Sequence, residues 1–276
     1  MAKICEETNW FAEEHFAQRD ADEEDNNWRQ QLASSEFLAH NFMMGLTQKT
    51  NLKDHWSSDE IHSSPFFGKY MTRDRFLAIL RFLHLNDNSN RIPRGEEGYN
   101  PLLKLRPVYD TLQEKFLSVY TPTKHLSLDE SSIGWKGHIH FRVYNPKKAH
   151  KFHVKAYVLA EAESGYVSRF EIYTGKQQEI SENGATYDAV MNVVSEHLNA
   201  GYFIFMDNYY SGVKLYDELR DQDTVACGTV RSNRKNLPEV VTKKKLKKGE
   251  VAAAKSQMDG EKGCFGHIDR TQCNRG

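Results

Sequence analysis

Two carboxylates stand at the ends of apolar, strand-like runs: Asp129 in HLSLDESS and Asp207 in FIFMDNYYSG. Aspartates brought side by side repel each other unless a proton or a cation sits between them. Mg²⁺ prefers hard oxygen ligands, and one or two carboxylates with water and a substrate phosphate commonly hold it. Such ions activate water and stabilise the leaving oxygen in phosphodiester cleavage. Asp129 and Asp207 are therefore candidate metal ligands and candidate catalytic residues. Glu130 follows Asp129 directly, but alternation along a strand sends it to the opposite face. Each acid also has a plainer reading. An Asp that ends a strand commonly serves a turn, and Asp207 precedes YYSGVKLY closely enough to cap a helix. Spacing alone leaves both readings open.

The elements around the acids decide whether they can meet. HLSLDES, HIHFRVYN, FHVKAYVLA and YVSRFEIYTG read as strands. NGATYDAVMNVVSEHL then carries Ala189, Val190, Val193, Val194 and Leu198 at helical spacing. GYFIFMD is a strand, SGVKLYDELRDQ a helix and TVACGTV a strand. A hairpin-built antiparallel trio, a helix, and a strand parallel to the first make an α/β fold with an RNase H-like mixed sheet. In that topology the first and fourth core strands are neighbours. It would bring together two acids roughly 78 residues apart in sequence, to about one strand spacing.

Upstream of Tyr120 the chain reads as helical. SEFLAHNFMMGL sets Phe37, Leu38, Phe42, Met43 and Leu46 on one face. TRDRFLAILRFLHL offers Thr72 as an N-cap, with Phe76, Ile79, Leu80 and Leu83 in a stripe. RPVYDTLQEKFLSVY places Val108, Leu112, Phe116 and Val119 in step. All three stripes are expected to face a core. The stretch NDNSNRIPRGEEGYNP is a loop by composition.

Charge is distributed unevenly although the net value is -1. Residues 1–30 hold nine acids against three bases, and residues 231–255 hold nine bases against two acids. The first segment is read as an acidic flexible tail, with a solvated helix face as the alternative. Residues 131–160 contain six bases, four histidines and no acid. Lys136, Arg142, Lys147, Lys148 and Lys151 in that strip suit a phosphate backbone. Trp135 and Tyr144 are placed to stack on unpaired bases. The histidines have zinc as an alternative, but no Cys pair accompanies them. In GTVRSNRKNLPEVVTKKKLKKGE, Arg231, Arg234 and Lys235 are further candidates for DNA contact. KKKLKK alone fits a nuclear localisation run, a nucleic-acid arm or a solvated loop. Beside the other features it favours DNA as partner and the nucleus as location.

Other classes are disfavoured. There is no run of 18 apolar residues for a membrane span. The acidic N-terminus is unlike a signal peptide. Cys5, Cys227, Cys264 and Cys273 are too scattered for a disulfide framework, which fits a reducing compartment. Cys264, His267 and Cys273 form at most a lone half-site. No small-molecule substrate is indicated.

Several long phrases carry a family resemblance: SPFFGKYMTRDRFLAILRFLHLNDN, LLKLRPVYDTL, YTPTKHLSLDESSIGWKGHIHFRVYNPKKAHKF, YVLAEAESGY, IYTGK, FMDNYYSG and VACGTVRSNRKNLPEVV. Over residues 34–255 the chain resembles the piggyBac-type transposases, in particular the transposable element-derived proteins of animal genomes. The resemblance implies a helical dimerisation and DNA-binding region at 31–120 and an RNase H-like core at 121–255. It implies a homodimer and Mg²⁺-dependent strand cleavage and transfer by three aspartates at TTAA sites. Asp129 in LSLDES matches the first aspartate and Asp207 in MDNYYSG the second. A third is expected in a KGGVD-like segment, and this sequence does not reach one. Text after Lys255 departs from the family, and the cysteine-rich zinc module is missing. Residues 256–276 are thus read as a divergent tail, in which neither Asp259 nor Asp269 has an assigned place. A shift of reading frame or splicing near Lys255 would explain the change. The expectation is a C-terminally truncated derivative, catalytically incomplete, that retains DNA binding. A non-catalytic nuclear interaction or dimerisation module and an unstable fragment remain as alternatives.

Overall fold

The computed structural model describes residues 2–17, 34–60, 63–175, 180–239, 251–255 and 265–269. The chain divides into two units, Met1–Leu112 and Gln113–Gly276.

The first unit is helical: α1 (Ala2–Ala17), α2 (Ser34–Thr47), α3 (Pro65–Tyr70), α4 (Arg73–Phe82) and the start of α5 (Arg106–Val119). Pro65 opens α3, where its missing N–H costs nothing. Thr72 caps α4, its side chain accepting from the Arg75 N–H at 3.3 Å. Phe37, Met71, Phe76 and Ile79 form the core, with Trp56 packed against it. The indole N–H of the half-buried Trp56 donates to the Met71 carbonyl at 2.8 Å.

Three sequence expectations change here. Residues 2–17 take the helical alternative rather than the flexible tail and form α1. Acidic composition hid an anchoring face: Thr8 and Ala12 are buried, and the Phe11 ring stacks on His84 at 3.5 Å. The rest of that segment, 18–30, lies outside the described residues. On α4 the buried set is Phe76, Ile79 and Phe82, while Leu80 and Leu83 are exposed. The expected core faces of α2 and α5 are largely open. Phe42 and Leu46 are 74% and 79% exposed, and α5 has no buried residue. Periodicity marks an apolar stripe; it does not say whether a neighbour covers it.

The second unit is a mixed sheet with helices. It comprises β1 (His125–Gly134), β2 (Val143–Tyr144), β3 (Phe152–Glu161), β4 (Val167–Ile172), α6 (Ala185–Val194), β5 (Phe203–Met206), α7 (Val213–Asp221) and β6 (Val225–Gly228). The strand order is β2-β3-β1-β5-β6, with β4 also on β3. β1 is antiparallel to β3 and parallel to β5, and β5 is parallel to β6. This is the RNase H-like order read from the sequence. A separate ribbon pairs β7 (Val251–Lys255) with β8 (Phe265–Asp269). No described helix is long and apolar enough to cross a membrane.

Alternation in β1 buries Leu126 and Leu128 and leaves Asp129 exposed. These leucines join Leu159, Ile204, Met206, Val190, Val193, Val194, Leu215 and Leu219 in one core. Each such aliphatic side chain contributes about 1.5–3 kcal/mol when fully buried. The strand expected over HIHFRVYN contracts to two residues. β3 offers one free edge, and β4 already occupies it from Ala156 to Ala160, leaving Phe152 and His153 for β2.

Glu161, buried at the end of β3, ties the start of β1 to the β3–β4 turn. Its carboxylate accepts from the Ser164 hydroxyl, from the Thr123 N–H at 2.5 Å and from the Tyr120 hydroxyl at 3.0 Å. Those bonds, the Ser164 one foremost, lower its pKa from 4.5 to about 2. A depressed carboxylate pKa stabilises the fold above its unfolded value and loses that contribution as pH falls through the folded value. Wild type should therefore melt above Glu161→Gln at pH 7, and the gap should close between pH 4.5 and about 2. Thermal melts across that range would show it, and a constant gap would contradict it.

Candidate active site

The parallel pairing of β1 with β5 runs from His125↔Phe203 to Leu128↔Met206. Asp129 and Asp207 are the next residue on each strand. The last ladder pair, on backbones about 4.8 Å apart, thus stops one residue short of both acids and leads them out on neighbouring stretches of chain. Both are exposed. β1 stays paired with β3 past this point, Asp129 opposite Val158, so one acid rides a central strand. Asp207 begins a loop. The N-cap of α7 is Gly212, so Asp207 does not serve that helix.

The loop is wound around the Asp207 carbonyl, which accepts from the Tyr210 N–H at 3.1 Å, the Ser211 N–H at 3.2 Å and the Ser211 hydroxyl at 2.9 Å. The Tyr216 hydroxyl donates to Ser211 Oγ at 2.8 Å. Gly228 permits this turn. A Cβ there would lie 2.0 Å from the Met206 carbonyl oxygen and 3.0 Å from both Ser211 Oγ and Tyr216 Oη. An isolated glycine in a strand is the sequence signal for such close approach, and VACG carries it.

Each candidate acid uses one oxygen locally. Asp129 Oδ1 accepts from the Glu130 N–H at 2.7 Å, and Asp207 Oδ1 from the Asn208 N–H. Two exposed carboxylates on adjacent strands fit a hard divalent cation that keeps its waters. Among the described residues, no three His, Cys, Asp or Glu side chains gather to hold a metal. Asp269 lies on β8 in the separate ribbon, opposite Val251, and Asp259 lies outside the described residues.

Glu130 faces away from Asp129, as alternation requires. Its carboxylate accepts from the Tyr210 hydroxyl at 3.2 Å and pairs with Lys155 at 3.4 Å and Lys148 at 3.9 Å. Burial, then the Glu130 charge, pushes the Tyr210 phenol far up. Burial, then Tyr209, raises Tyr157 to about 12.

The basic strip folds into the end of the β1–β3 hairpin and its connection. Trp135, Lys136, Lys147, Lys148 and Lys151 are exposed. Ile133, Tyr144 and Phe152 add apolar surface there. Arg142 lies 4.3 Å over the Phe152 ring and donates to the Gly137 carbonyl at 3.2 Å. His138, His140 and His150 are exposed, whereas His153 is buried with Nδ1 3.2 Å from the His150 carbonyl. Arg231 and Arg234 sit against the loop after Asp207. Arg231 Nε donates to Asn208 Oδ1 at 3.0 Å, and Arg234 Nη2 donates to the carbonyls of Asn208, at 3.3 Å, and Tyr209. Lys235 is exposed, and KKKLKK lies outside the described residues. A basic composition gives no sign that two arginines would be spent on this loop.

Comparison with known proteins covers nearly the whole chain. Residues 1–271 match the family model described as Transposase IS4. Human PiggyBac transposable element-derived protein 3 is 26% identical over 239 residues, which are 83% of this chain and 39% of the relative. The human chimeric ERCC6-PGBD3 protein gives 26% over 239 residues, 83% of this chain and 22% of the relative. The chain thus spans about two fifths or less of these relatives. A cryo-EM structure of the piggyBac transposase synaptic complex with hairpin DNA superposes with a TM-score of 0.73 at 22% identity, covering 96% of this chain and 57% of that one.

Gly228→Ala should destabilise the second unit by about 1–3 kcal/mol, because the methyl must displace the Met206 carbonyl beside Asp207. Urea unfolding followed by tryptophan and far-UV signals would measure it. A loss under a few tenths would show that the turn has room.

Proposed function

As a member of the IS4 transposase family in its piggyBac branch, this chain, we propose, binds DNA and offers Asp129 and Asp207 as two ligands of a Mg²⁺ site built for DNA strand cleavage and transfer. The observation that carries this reading is the β1–β5 register, which ends one residue before both acids. Mg²⁺ held there would offset the repulsion between the carboxylates and supply Lewis-acid activation of water and phosphate. Asp129 and Asp207 hold and orient. Lys136, Arg142, Lys147, Lys148 and Lys151 meet phosphates, with Trp135 and Tyr144 stacking on exposed bases. Arg231, Arg234 and Lys235 flank the same loop and extend the DNA-facing surface. The neighbour's hairpin-DNA complex supports DNA as partner; TTAA as target rests on the sequence resemblance alone, and the nucleus as location on the basic run KKKLKK. No third carboxylate joins the pair among the described residues. With two of the three aspartates that the family resemblance implies, the chain by itself is read as a DNA binder that cuts little.

A second reading is self-association. The open face of α2, with Phe42 and Leu46, favours a homodimer or an interaction module. Phe42→Ser with Leu46→Ser should then shift sedimentation toward monomer.

DNA binding measured against salt tests the first reading. Each lost phosphate contact lowers the slope of log K against log salt by about 0.9, so Lys147→Ala with Lys151→Ala should flatten it by about 2. An unchanged slope removes the strip from the interface. In parallel, a nicking assay on TTAA duplex with Mn²⁺ should show at most trace cutting, abolished in Asp129→Ala. Cutting that survives that substitution would overturn the assignment.

A further inference from the structure

The ladder that aligns the two acids ends before it reaches them. β1–β5 pairing stops at Leu128↔Met206, so no β1–β5 pairing fixes Asp207 relative to Asp129. Something else must hold the loop against β1. The side chain next to Asp129 does so. Glu130 accepts the hydroxyl of Tyr210, three positions after Asp207, at 3.2 Å. Tyr210 is 3% exposed and sits within the sheet core, 6.1 Å from the Tyr157 ring. Lys155 on β3 pairs with the same Glu130 oxygen at 3.4 Å. Its ammonium also lies 4.7 Å from the Tyr157 ring and 4.8 Å from the Tyr209 ring. One carboxylate and one ammonium thereby join β1, β3 and both tyrosines of the loop. A cation over two rings gains attraction from each. A hydrogen bond to a charged acceptor in a half-dry site is stronger than a neutral one.

We propose that Glu130, through Tyr210 and Lys155, is a positioning residue that fixes Asp207 beside Asp129 for metal binding. This role rests on the reading of Asp129 and Asp207 as metal ligands. Glu130 is not itself a ligand, because its carboxylate is turned to the opposite side of β1 and occupied there. Its function is to replace the missing rungs of the ladder with a charged node.

Mn²⁺ titration of the full chain, with free ion counted by electron paramagnetic resonance, tests the proposal alongside thermal melts. Tyr210→Phe keeps the ring and removes only the hydroxyl. It should fold with a melting point near wild type and bind Mn²⁺ about 10-fold or more weakly, the usual cost of losing a partner that orients a metal ligand. Glu130→Gln, which still accepts from Tyr210, should bind more tightly than Glu130→Ala. Lys155→Met should weaken binding in the same direction. Folded Tyr210→Phe and Glu130→Ala proteins that bind within about 2-fold of wild type, well short of that usual loss, would overturn the positioning role. Asp129→Ala and Asp207→Ala separate this failure from failure of the metal reading. If both retain wild-type affinity, or if wild type binds no Mn²⁺, the metal reading fails and the positioning role falls with it.

Discussion

A parallel pairing of four residues organises the second unit. β1 and β5 run side by side from His125↔Phe203 to Leu128↔Met206, and this contact brings together segments distant in sequence. The inward side chains of those strands, Leu126, Leu128, Ile204 and Met206, are buried against α6 and α7. Because side chains alternate with period two, a register slip of one residue would turn these leucines to solvent. Core burial therefore sets the register, and the register sets where the acids stand. The proposed chemistry is in this sense a by-product of hydrophobic packing at the opposite face of β1.

Beyond the last rung the backbone must be held by other means, and the loop after Asp207 is braced from several directions. Its own carbonyl is saturated by Tyr210 and Ser211. Gly228 makes room on the β6 side, where any Cβ would strike the Met206 carbonyl. Arg231 and Arg234 reach the loop from the segment following β6. Glu130 reaches it from β1. Exposed acids on a well-held backbone suit a metal site, since carboxylates must remain open to the ion while their spacing stays fixed.

Element order was readable from the sequence, because strand alternation, helical spacing and turn residues punctuate the second unit clearly. Thr72 announced its capping role by type and place. What sequence could not supply was partnership. The stripes of α2 and α5 look like core faces, yet Phe42 and Leu46 stay open. The acidic N-terminal segment conceals Phe11 and Thr8, which dock on His84. HIHFRVYN alternates as a strand should, but β4 already occupies most of the β3 edge. At the site, Asp207 follows the end of its strand as its sequence suggested, whereas Asp129 lies inside β1, which runs on to Gly134; the neighbouring of their strands followed from topology. The bracing was not visible, because Glu130, Lys155, Tyr210 and Gly228 acquire their meaning only from long-range contacts.

The hairpin end with Trp135, Arg142, Tyr144 and Phe152 combines aromatic surface with cations that lack acidic neighbours in sequence. Such a surface suits a polyanion with exposed bases. The proposed function stands on the acids themselves, and a shared ion between them is directly measurable. A crystal of the chain grown with Mn²⁺ and measured at the manganese edge should show an anomalous peak within about 2.5 Å of carboxylate oxygens from both Asp129 and Asp207. A peak bound elsewhere, or carboxylates turned apart at saturating Mn²⁺, would contradict the assignment.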